Sequence, residues 1–589
     1  MRGTTDTTVA DAGIVPVRHG KAVSRAGTQG SRLLRELVNQ RPVIVRWLIA
    51  VLLFALLVSP MLPLIYQSVI DRPLYEGGQV FTLDNFKNLY SDPRFHAVLW
   101  NTFWFSVIGT LISTTIGFVA ALVLERLELP FRRVLKVLFL SPIFLSALIL
   151  AFAWSMLYGP SGYAALFLKA NLGLTLPNIN SLFGMSLLAG VAAAPVSYLF
   201  FAAAMGNISA TLEDAARAAG ASPMRTTLTI VLPLLLPSLF YCLLLNFVLK
   251  MDQLAVPLLF GEPARIEVLA TYLYQNGIAA KADYGLVSAT AVSMLVLIQI
   301  AIMAQKRLLG DVRRYTTIGG RSTRRGRTAV GGIGWVLSAV FLLYALLTTV
   351  IPCGFLILRS FCSFMSPLIP ISKVLTLANF KLVLGYEAYV QSIINTLIVS
   401  SVGGLGAVIL TFVASVVAYR SSPALRRVVE QTAFIPRAIP GIVVGIGIFY
   451  AAIILPGGGY LRGSLAILMI AFTIRYFPIG FATLGPPFLQ LGEDLERAVR
   501  VAGGGELRSF IAVTLPLLRP ALVGCFLLYF VQFFKEYAAA SFLFGPETQV
   551  IGTTMLQLDL MGNLGPVAAL SVITLALTLP IAVFVYAKD

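Results

Sequence analysis

Few charged side chains fall inside the long apolar stretches of this chain, and those few are the first candidates for chemistry. Arg475 lies in the middle of one stretch, and Arg437 lies between two prolines in another. An ionised side chain at the centre of an apolar membrane helix costs about 2.5–3.5 kcal/mol on insertion scales, so it rarely faces lipid. Both arginines are predicted to line an interior path and to meet an anionic solute or chelate. A structural pairing, for example of Arg437 with Glu430, is the alternative.

Basic and acidic residues also lie side by side near the end of two other apolar stretches. These candidate path residues are Lys250, Asp252, Lys535 and Glu536. The Leu-Phe-Gly strings at 259–261 and 543–545, when aligned, place Asp252 opposite Glu536. The alternative is a pair of interfacial clusters whose long side chains reach out to water.

Several kinds of catalytic and metal site find no support in the sequence. The only histidines are His19 and His96, and the four cysteines show no paired spacing, so no metal site is predicted. The string His19–Ala22 lacks the glycine spacing and the Ser/Thr of a phosphate-binding loop. The chain is therefore predicted not to be an enzyme and to carry no cofactor.

Two alanine-rich loops are variants of one another. The first reads E-D-A-A-R-A-A-G at 213–220 and continues to I-V-L-P at 230–233. The second reads E-R-A-V-R-V-A-G at 496–503 and continues to V-T-L-P at 513–516. Alanine favours a helix and adds no bulk, and the glycine permits a sharp turn. Each loop can thus approach another protein closely, and charges such as Glu213 could pair with a groove on that partner.

This pattern resembles the EAA loop of ABC-importer permeases, which docks into a separate ATPase subunit. The resemblance implies that the first coupling loop comprises Glu213, Asp214, Ala215, Ala216, Gly220, Ile230, Leu232 and Pro233. The second comprises Glu496, Arg497, Ala498, Gly503, Val513, Leu515 and Pro516. The second copy departs from the pattern, since Arg497 replaces the acid and three glycines follow. The two loops are therefore predicted to bind the ATPase with unequal strength.

Composition places these loops in a membrane protein. Of the 589 residues, 58% are hydrophobic and only 12% are charged, whereas soluble proteins carry about 25% charged residues. About twelve apolar runs reach the roughly 20 residues needed to cross a bilayer. The predicted fold is all-α, because open strands cannot satisfy their backbone groups in lipid.

The net charge of +18 reflects membrane topology rather than nucleic-acid binding. Basic residues crowd the N-terminal segment and alternate inter-span loops, which by the positive-inside rule places both termini and both coupling loops in the cytoplasm. The protein is expected in the inner membrane with several passes and with no nucleic-acid partner.

The chain is also predicted to be a duplication. Asn101-Thr102 is answered by Asn395-Thr396, and Pro142 by Pro436, at one offset. Six spans is an even number, so the halves run in parallel. The predicted segments are a disordered basic cytoplasmic tail (1–42), a first six-span module (43–305), a basic cytoplasmic linker (306–332) and a second six-span module (333–589).

Parallel six-span repeats also occur in major-facilitator secondary transporters, which are the main alternative. The loop between spans two and three, Glu125–Arg133, lacks the Gly-x-x-x-Asp-Arg signature of that class. The resemblance to a fused type I importer permease therefore implies an ATPase homodimer and a soluble substrate-binding protein as partners, with ATP and magnesium on the ATPase. Ferric iron is the expected substrate; a phosphonate, a polyamine or another small organic ion is the alternative.

Overall fold

The structure is a computed structural model that describes residues 43–206, 208, 210–278, 283–309, 328–491, 493–503, 505, 508 and 510–586. The predicted tail 1–42 and residues 310–327 of the predicted linker lie outside that part. The chain divides into two units, with the boundary between Ile49 and Ala50. The packing described below lies within the second unit.

Helices make up most of the described chain. In the first half they are Val43–Val58, Met61–Ser68, Asp84–Ser91, Pro93–Arg126, Arg132–Leu140, Ala147–Tyr158, Tyr163–Leu172, Leu182–Gly206, Ala210–Ala218, Pro223–Thr226, Leu232–Met251, Leu269–Ile278 and Tyr284–Leu309. In the second half they are Gly332–Ala345, Ile351–Ser360, Ala378–Gly385, Glu387–Ile398, Gly404–Tyr419, Pro423–Phe434, Gly441–Ile454, Gly458–Arg462, Leu465–Gln490, Glu493–Val501, Leu515–Phe534, Ile551–Leu560 and Leu564–Tyr586.

Shorter segments join these helices. The π-helical segments are Thr227–Val231, Pro257–Gly261, Leu346–Val350, Val399–Gly403 and Phe510–Thr514. The 3-10 segments are Ser141–Phe144, Glu262–Ala264, Ile371–Lys373, Ile435–Ala438 and Ala540–Phe542. The two-residue strands Leu127–Glu128 and Thr328–Ala329 pair in parallel. This pair ties the end of the second span to the start of the second half.

Within the described residues, nine helical segments are long and apolar enough to cross a membrane, and three bent pairs raise the total to as many as twelve. The prediction of an all-α fold with about twelve spans is confirmed. Two of the bends are alike: the third span of each half turns by 104° and 107°. Pro142 and Pro436 are the second residues of the 3-10 segments at these bends, and proline interrupts a helix because it lacks a backbone N–H.

Matched hydrogen bonds show that the halves are copies. The amide of Asn85 donates to the carbonyls of Ser68 and Ile70, as the amide of Asn379 does to those of Ser360 and Cys362. The Thr102 hydroxyl accepts from the N–H of Leu269 at 2.8 Å, and the Thr396 hydroxyl from that of Ile551 at 2.9 Å.

The halves interlock through their first and third spans. The indole of Trp154 donates to the carbonyl of Thr348 at 2.8 Å, and the Tyr158 hydroxyl to that of Leu347 at 2.9 Å. In the reciprocal contact, Gly447 of the second half lies against Met61 of the first, where an added Cβ would come within 2.5 Å of the methionine Cε. The apolar core is continuous across both halves.

Candidate functional site

Arg475 joins the two halves of the chain through two ion pairs. Its Nη2 lies 2.9 Å from Oδ2 of Asp252, and its Nη1 lies 2.9 Å from Oε1 of Glu536. Asp252 belongs to the first half, and Arg475 and Glu536 belong to the second. We call these three residues the charge cluster. Its formal charge is negative, because two carboxylates face one guanidinium.

Further donors satisfy the carboxylates of the charge cluster. The N–H of Gly441 donates to Oδ1 of Asp252 at 2.7 Å, and the N–H of Ala539 to Oε1 of Glu536 at 3.0 Å. The Tyr476 hydroxyl donates to Oε2 of Glu536 at 2.5 Å. A buried carboxylate is tolerated when charged and hydrogen-bonding partners surround it. The charge cluster is therefore well satisfied in this conformation.

Helix ends and the bend in the third span position the carboxylates of the charge cluster. The fifth-span helices end at Met251 and Phe534, so Asp252 is the first residue after one helix end and Glu536 the second residue after the other. The bent third span of the second half restarts at Gly441, whose N–H has no partner within its own helix. Gly441 is also required sterically, because an added Cβ would lie 1.3 Å from Nη1 of Arg475.

The structure assigns different surroundings to the two predicted path arginines. Arg475 has the structural pairing that was the alternative, since the carboxylates of Asp252 and Glu536 bind it. Glu430 is not the partner of Arg437, because its Oε1 lies 2.8 Å from Nε of Arg426. Arg437 itself is exposed, and within the described part of the chain it has no ion-pair or hydrogen-bond partner.

Burial of the basic and acidic pairs contradicts the alternative of long side chains reaching out to water. Lys250 and Glu536 are 2% and 4% exposed, and Lys535 is partly buried. The Lys535 ammonium donates to the carbonyl of Ile143 at 3.0 Å, which is again a contact between the halves. Lys250 lies within the first half, apart from the cluster.

Sequence reasoning missed Tyr476, Tyr537 and Ala539. The Tyr537 hydroxyl accepts from the N–H of Ala255, across the boundary between the halves. Tyrosines are frequent in this chain, so their sequence positions carry no signal. Tyr476 adjoins Arg475, which is the only sequence hint.

The two alanine-rich loops have the same geometry. Each begins with a short helix, Ala210–Ala218 or Glu493–Val501. A glycine with positive φ follows, Gly220 at 81° and Gly503 at 84°. Such values suit glycine, because a side chain there strains the backbone. A π-helical turn then connects each loop to the fifth-span helix of its half. The Leu-Pro pair forms the first two residues of that helix.

Exposure also agrees at the helix and glycine positions of the two loops. Asp214, Ala215 and Gly220 are exposed in the first loop, as are Arg497, Ala498 and Gly503 in the second. Of the other predicted coupling positions, Pro233, Leu515 and Pro516 are exposed, and Ala216, Ile230, Leu232 and Val513 are partly buried. Each loop thus presents a matched outer face.

Glu213 does not belong to that outer face. Its Oε1 lies 3.0 Å from Nη2 of Arg126, and its side chain is only 8% exposed. The expectation that Glu213 offers its charge to a partner is therefore wrong; it anchors the loop to the end of the second span. The side chain of Glu496, its counterpart, lies outside the described part.

Comparisons with known proteins agree with this architecture. The profile of the family described as "Binding-protein-dependent transport system inner membrane component" matches residues 113–314 and 407–589, one copy in each half. A probable ABC transporter permease protein, y4fN, of Sinorhizobium fredii is 26% identical over 517 residues, which is 85% of this chain and 88% of that protein.

Two further relatives align with a similar share of this chain. A putative ferric transport system permease protein, FbpB 1, of Haemophilus influenzae is 25% identical over 85% of this chain and 78% of its own. The ferric transport system permease protein FbpB of Actinobacillus pleuropneumoniae is 24% identical over 88% of this chain and 75% of its own. The chain thus belongs to the binding-protein-dependent inner membrane permeases and is a fused two-module type I permease of an ABC importer.

Proposed function

We propose that this permease imports ferric iron, which it receives from a soluble binding protein and moves with energy from a separate ATPase homodimer. The observation that carries the coupling mechanism is the pair of loops with the same glycine geometry at equivalent places in the two halves. The substrate is proposed from the two relatives described as ferric transport permeases.

The outer faces of the loops suit an ATPase dimer. Leu212 and Leu495 occupy equivalent positions on the short loop helices, and both are exposed, at 40% and 52%. Val501 is 90% exposed beyond them. Exposed apolar residues on a short helix favour docking into a groove of a partner. Two similar faces on one chain suit two identical ATPase subunits, which would hold the ATP and magnesium, so this chain needs no cofactor and no catalytic activity.

The charge cluster is proposed to close the path between the halves. It bridges the broken third span of the second half and the end of the fifth span of the first half, so separating the halves breaks it. Its excess negative charge suits a cation better than an anion, which removes the argument for an anionic solute that Arg475 alone suggested. Arg437, exposed near the bend, and Lys535 are proposed to line the same path.

The proposed orientation places both termini and both coupling loops in the cytoplasm. The basic segments flanking the spans support this orientation through the positive-inside rule. The module bounds 43–305 and 333–589 are proposed with it, and the helices Tyr284–Leu309 and Gly332–Ala345 lie at their inner limits.

Reconstitution tests the proposal. The chain is placed in liposomes with its ATPase and its iron-loaded binding protein, and uptake of radioactive ferric iron is measured. Uptake should require ATP on the loop side and should stop with an ATPase variant that binds but does not hydrolyse ATP. Transport by this chain alone under a proton or sodium gradient would overturn the coupling mechanism. Thermal-shift screening of the binding protein against ferric iron, 2-aminoethylphosphonate and polyamines tests the substrate separately.

A further inference from the structure

The end of the second span holds the first coupling loop through an ion pair. Arg126 is the last residue of the helix Pro93–Arg126, and its Nη2 lies 3.0 Å from Oε1 of Glu213 in the loop. The side chain of Arg126 is only 15% exposed, and a partly buried ion pair is screened by salt much less than a surface pair. A displacement of the loop helix therefore acts directly on the end of the second span.

Glu125, the residue before Arg126, binds the two spans that follow. Its Oε2 lies 2.6 Å from Nη2 of Arg132, and its Oε1 accepts from the ammonium of Lys136 at 3.1 Å. Both bases belong to the first helix of the third span. Oε1 also accepts from the hydroxyl of Tyr198 in the fourth span. Charge-assisted hydrogen bonds of this kind fix the geometry of their partners as well as stabilising them. We call Glu125, Arg126, Arg132, Lys136 and Tyr198 the ion network.

The third span continues from the ion network to the charge cluster. Its first helix begins at Arg132, and its 3-10 segment ends the helical run at the bend. There the carbonyl of Ile143 accepts from the ammonium of Lys535 at 3.0 Å, and Lys535 directly precedes Glu536 of the charge cluster. Ion pairs, hydrogen bonds and one helix thus form a continuous series from the first coupling loop to the charge cluster. Coupling between distant sites can travel through contiguous networks of this kind.

The second half has aromatic rings where the first half has the central carboxylate and its tyrosine. The offset that relates the two Asn-Thr pairs places Tyr419 opposite Glu125. The offset that relates the two loop glycines also aligns the first residues of the fourth-span helices, and it places Phe481 opposite Tyr198. The rings of Tyr419 and Phe481 stack with their centroids 6.0 Å apart and their planes 18° apart. The same two spans therefore meet through a hydrogen bond to a carboxylate in one half and through stacking in the other.

The basic partners differ between the halves as well. Arg426 stands opposite Arg132, and Glu430 stands opposite Lys136. Nε of Arg426 lies 2.8 Å from Oε1 of Glu430 on the same helix, and its guanidinium lies 4.9 Å from the centroid of the Tyr419 ring. This ion pair lies within one helix and joins no spans. A cation–π contact, which is sequence-tolerant in its geometry, connects the second and third spans there.

We propose that Glu125 and Arg126 are positioning residues for coupling, which transmit movement of the first coupling loop to the bent third span and so to the charge cluster. The proposal rests on the proposed coupling to an ATPase and names the residues that serve it. Ion pairs and short hydrogen bonds hold the spans at fixed distances, so the loop and the third span move together. Stacked rings constrain sliding less, so the first half transmits the larger share of the movement.

Uptake of radioactive ferric iron per ATP hydrolysed tests the ion network, in proteoliposomes with the full-length permease, its ATPase and its binding protein. Glu125→Gln keeps the shape and removes the charge, so the ratio should fall about fivefold or more, which is the usual range of a coupling free energy. ATP hydrolysis and membrane abundance should stay near those of the wild type.

Tyr198→Phe keeps the test decisive if Glu125→Gln does not fold. It removes only the hydroxyl that Glu125 accepts from, and phenylalanine is the residue at the equivalent place in the second half, so folding should be retained and the ratio should fall. Tyr529→Phe is the matched control, because it removes a buried hydroxyl that lies 2.7 Å from that of Thr411, outside the ion network. It should transport as the wild type does.

An exchange of charges tests the pair that holds the loop. Arg126→Glu and Glu213→Arg should each lower uptake per ATP, and the double variant should recover it, because the ion pair is restored with reversed sign. Wild-type ratios in Glu125→Gln and Tyr198→Phe, or no recovery in the double variant, would overturn the role of the ion network and leave ATP coupling in place. Absence of ATP-driven uptake by the wild type would instead overturn the proposed function, and this role with it.

Discussion

At the scale of single residues, the stability of the charge cluster depends on the balance between its positive and negative charges more than on any one charge. Arg475→Met would leave Asp252 and Glu536 buried without a cation, which costs about 3–5 kcal/mol. We expect a clear loss of folded protein in the membrane, measured by size-exclusion profiles of a fluorescent fusion. Arg437→Met should leave abundance unchanged, because that side chain is exposed and pairs with no described residue.

The triple variant Arg475→Met, Asp252→Asn, Glu536→Gln separates charge balance from packing. It removes the uncompensated carboxylates, so abundance should return towards that of the wild type. Normal abundance of Arg475→Met alone would contradict a structural role for this ion pair and would favour direct contact with the solute.

Gly441 is a second test at this scale. A methyl group at this position would overlap the guanidinium of Arg475, since the Cβ would stand 1.3 Å from Nη1. Gly441→Ala should therefore displace Arg475, lower the melting temperature of the purified protein and impair uptake. Gly406→Ala is the matched control, because nothing lies within 4 Å of a Cβ there. Equal melting temperatures for the two variants would show that Arg475 has another stable position.

At the scale of elements, the coupling loops depend on their glycine turns. Gly220→Val and Gly503→Val both place a β-branched side chain at positive φ, although space is open around each. Each should therefore reduce uptake per ATP hydrolysed, measured in proteoliposomes, through backbone strain rather than a clash. We expect the larger loss for Gly220→Val, because two more glycines follow Gly503 in the sequence and offer another site for the turn.

Gly354→Val is the control for the loop variants, since it makes the same change at an exposed helical position with open space and no positive φ. Equal losses of uptake per ATP for Gly220→Val and Gly503→Val, at equal membrane abundance, would contradict the expected difference between the two loops.

The elements were predictable from sequence where the signal is local. The spans follow from runs of apolar residues, the bends at Pro142 and Pro436 from proline, and the loops from a repeated pattern. The partners of Arg475 were not predictable, because Asp252 is 223 residues away and Glu536 is 61. Glu213 has the right residue type for an exposed coupling charge, and only the fold shows that Arg126 holds it inward.

At the scale of the whole molecule, the interlocked first and third spans should hold the halves together without a continuous chain. Cutting the gene within the segment 310–327 and expressing both parts together should give halves that copurify through a tag on either one. The hydrogen bonds of Trp154 and Tyr158 to the opposite half support this expectation. Halves that purify separately would show that the continuous linker is what maintains assembly.

The position of Arg475 between two equivalent carboxylates has a consequence for the ancestry of the cluster. In a dimer of identical modules, every residue near the twofold axis occurs twice, so the charge gathered there is always even. Two carboxylates with one arginine sum to an odd charge, which only two different modules can produce. The single arginine of this cluster therefore records divergence after the duplication, and permeases built from two identical chains must join their halves with a differently balanced set of side chains.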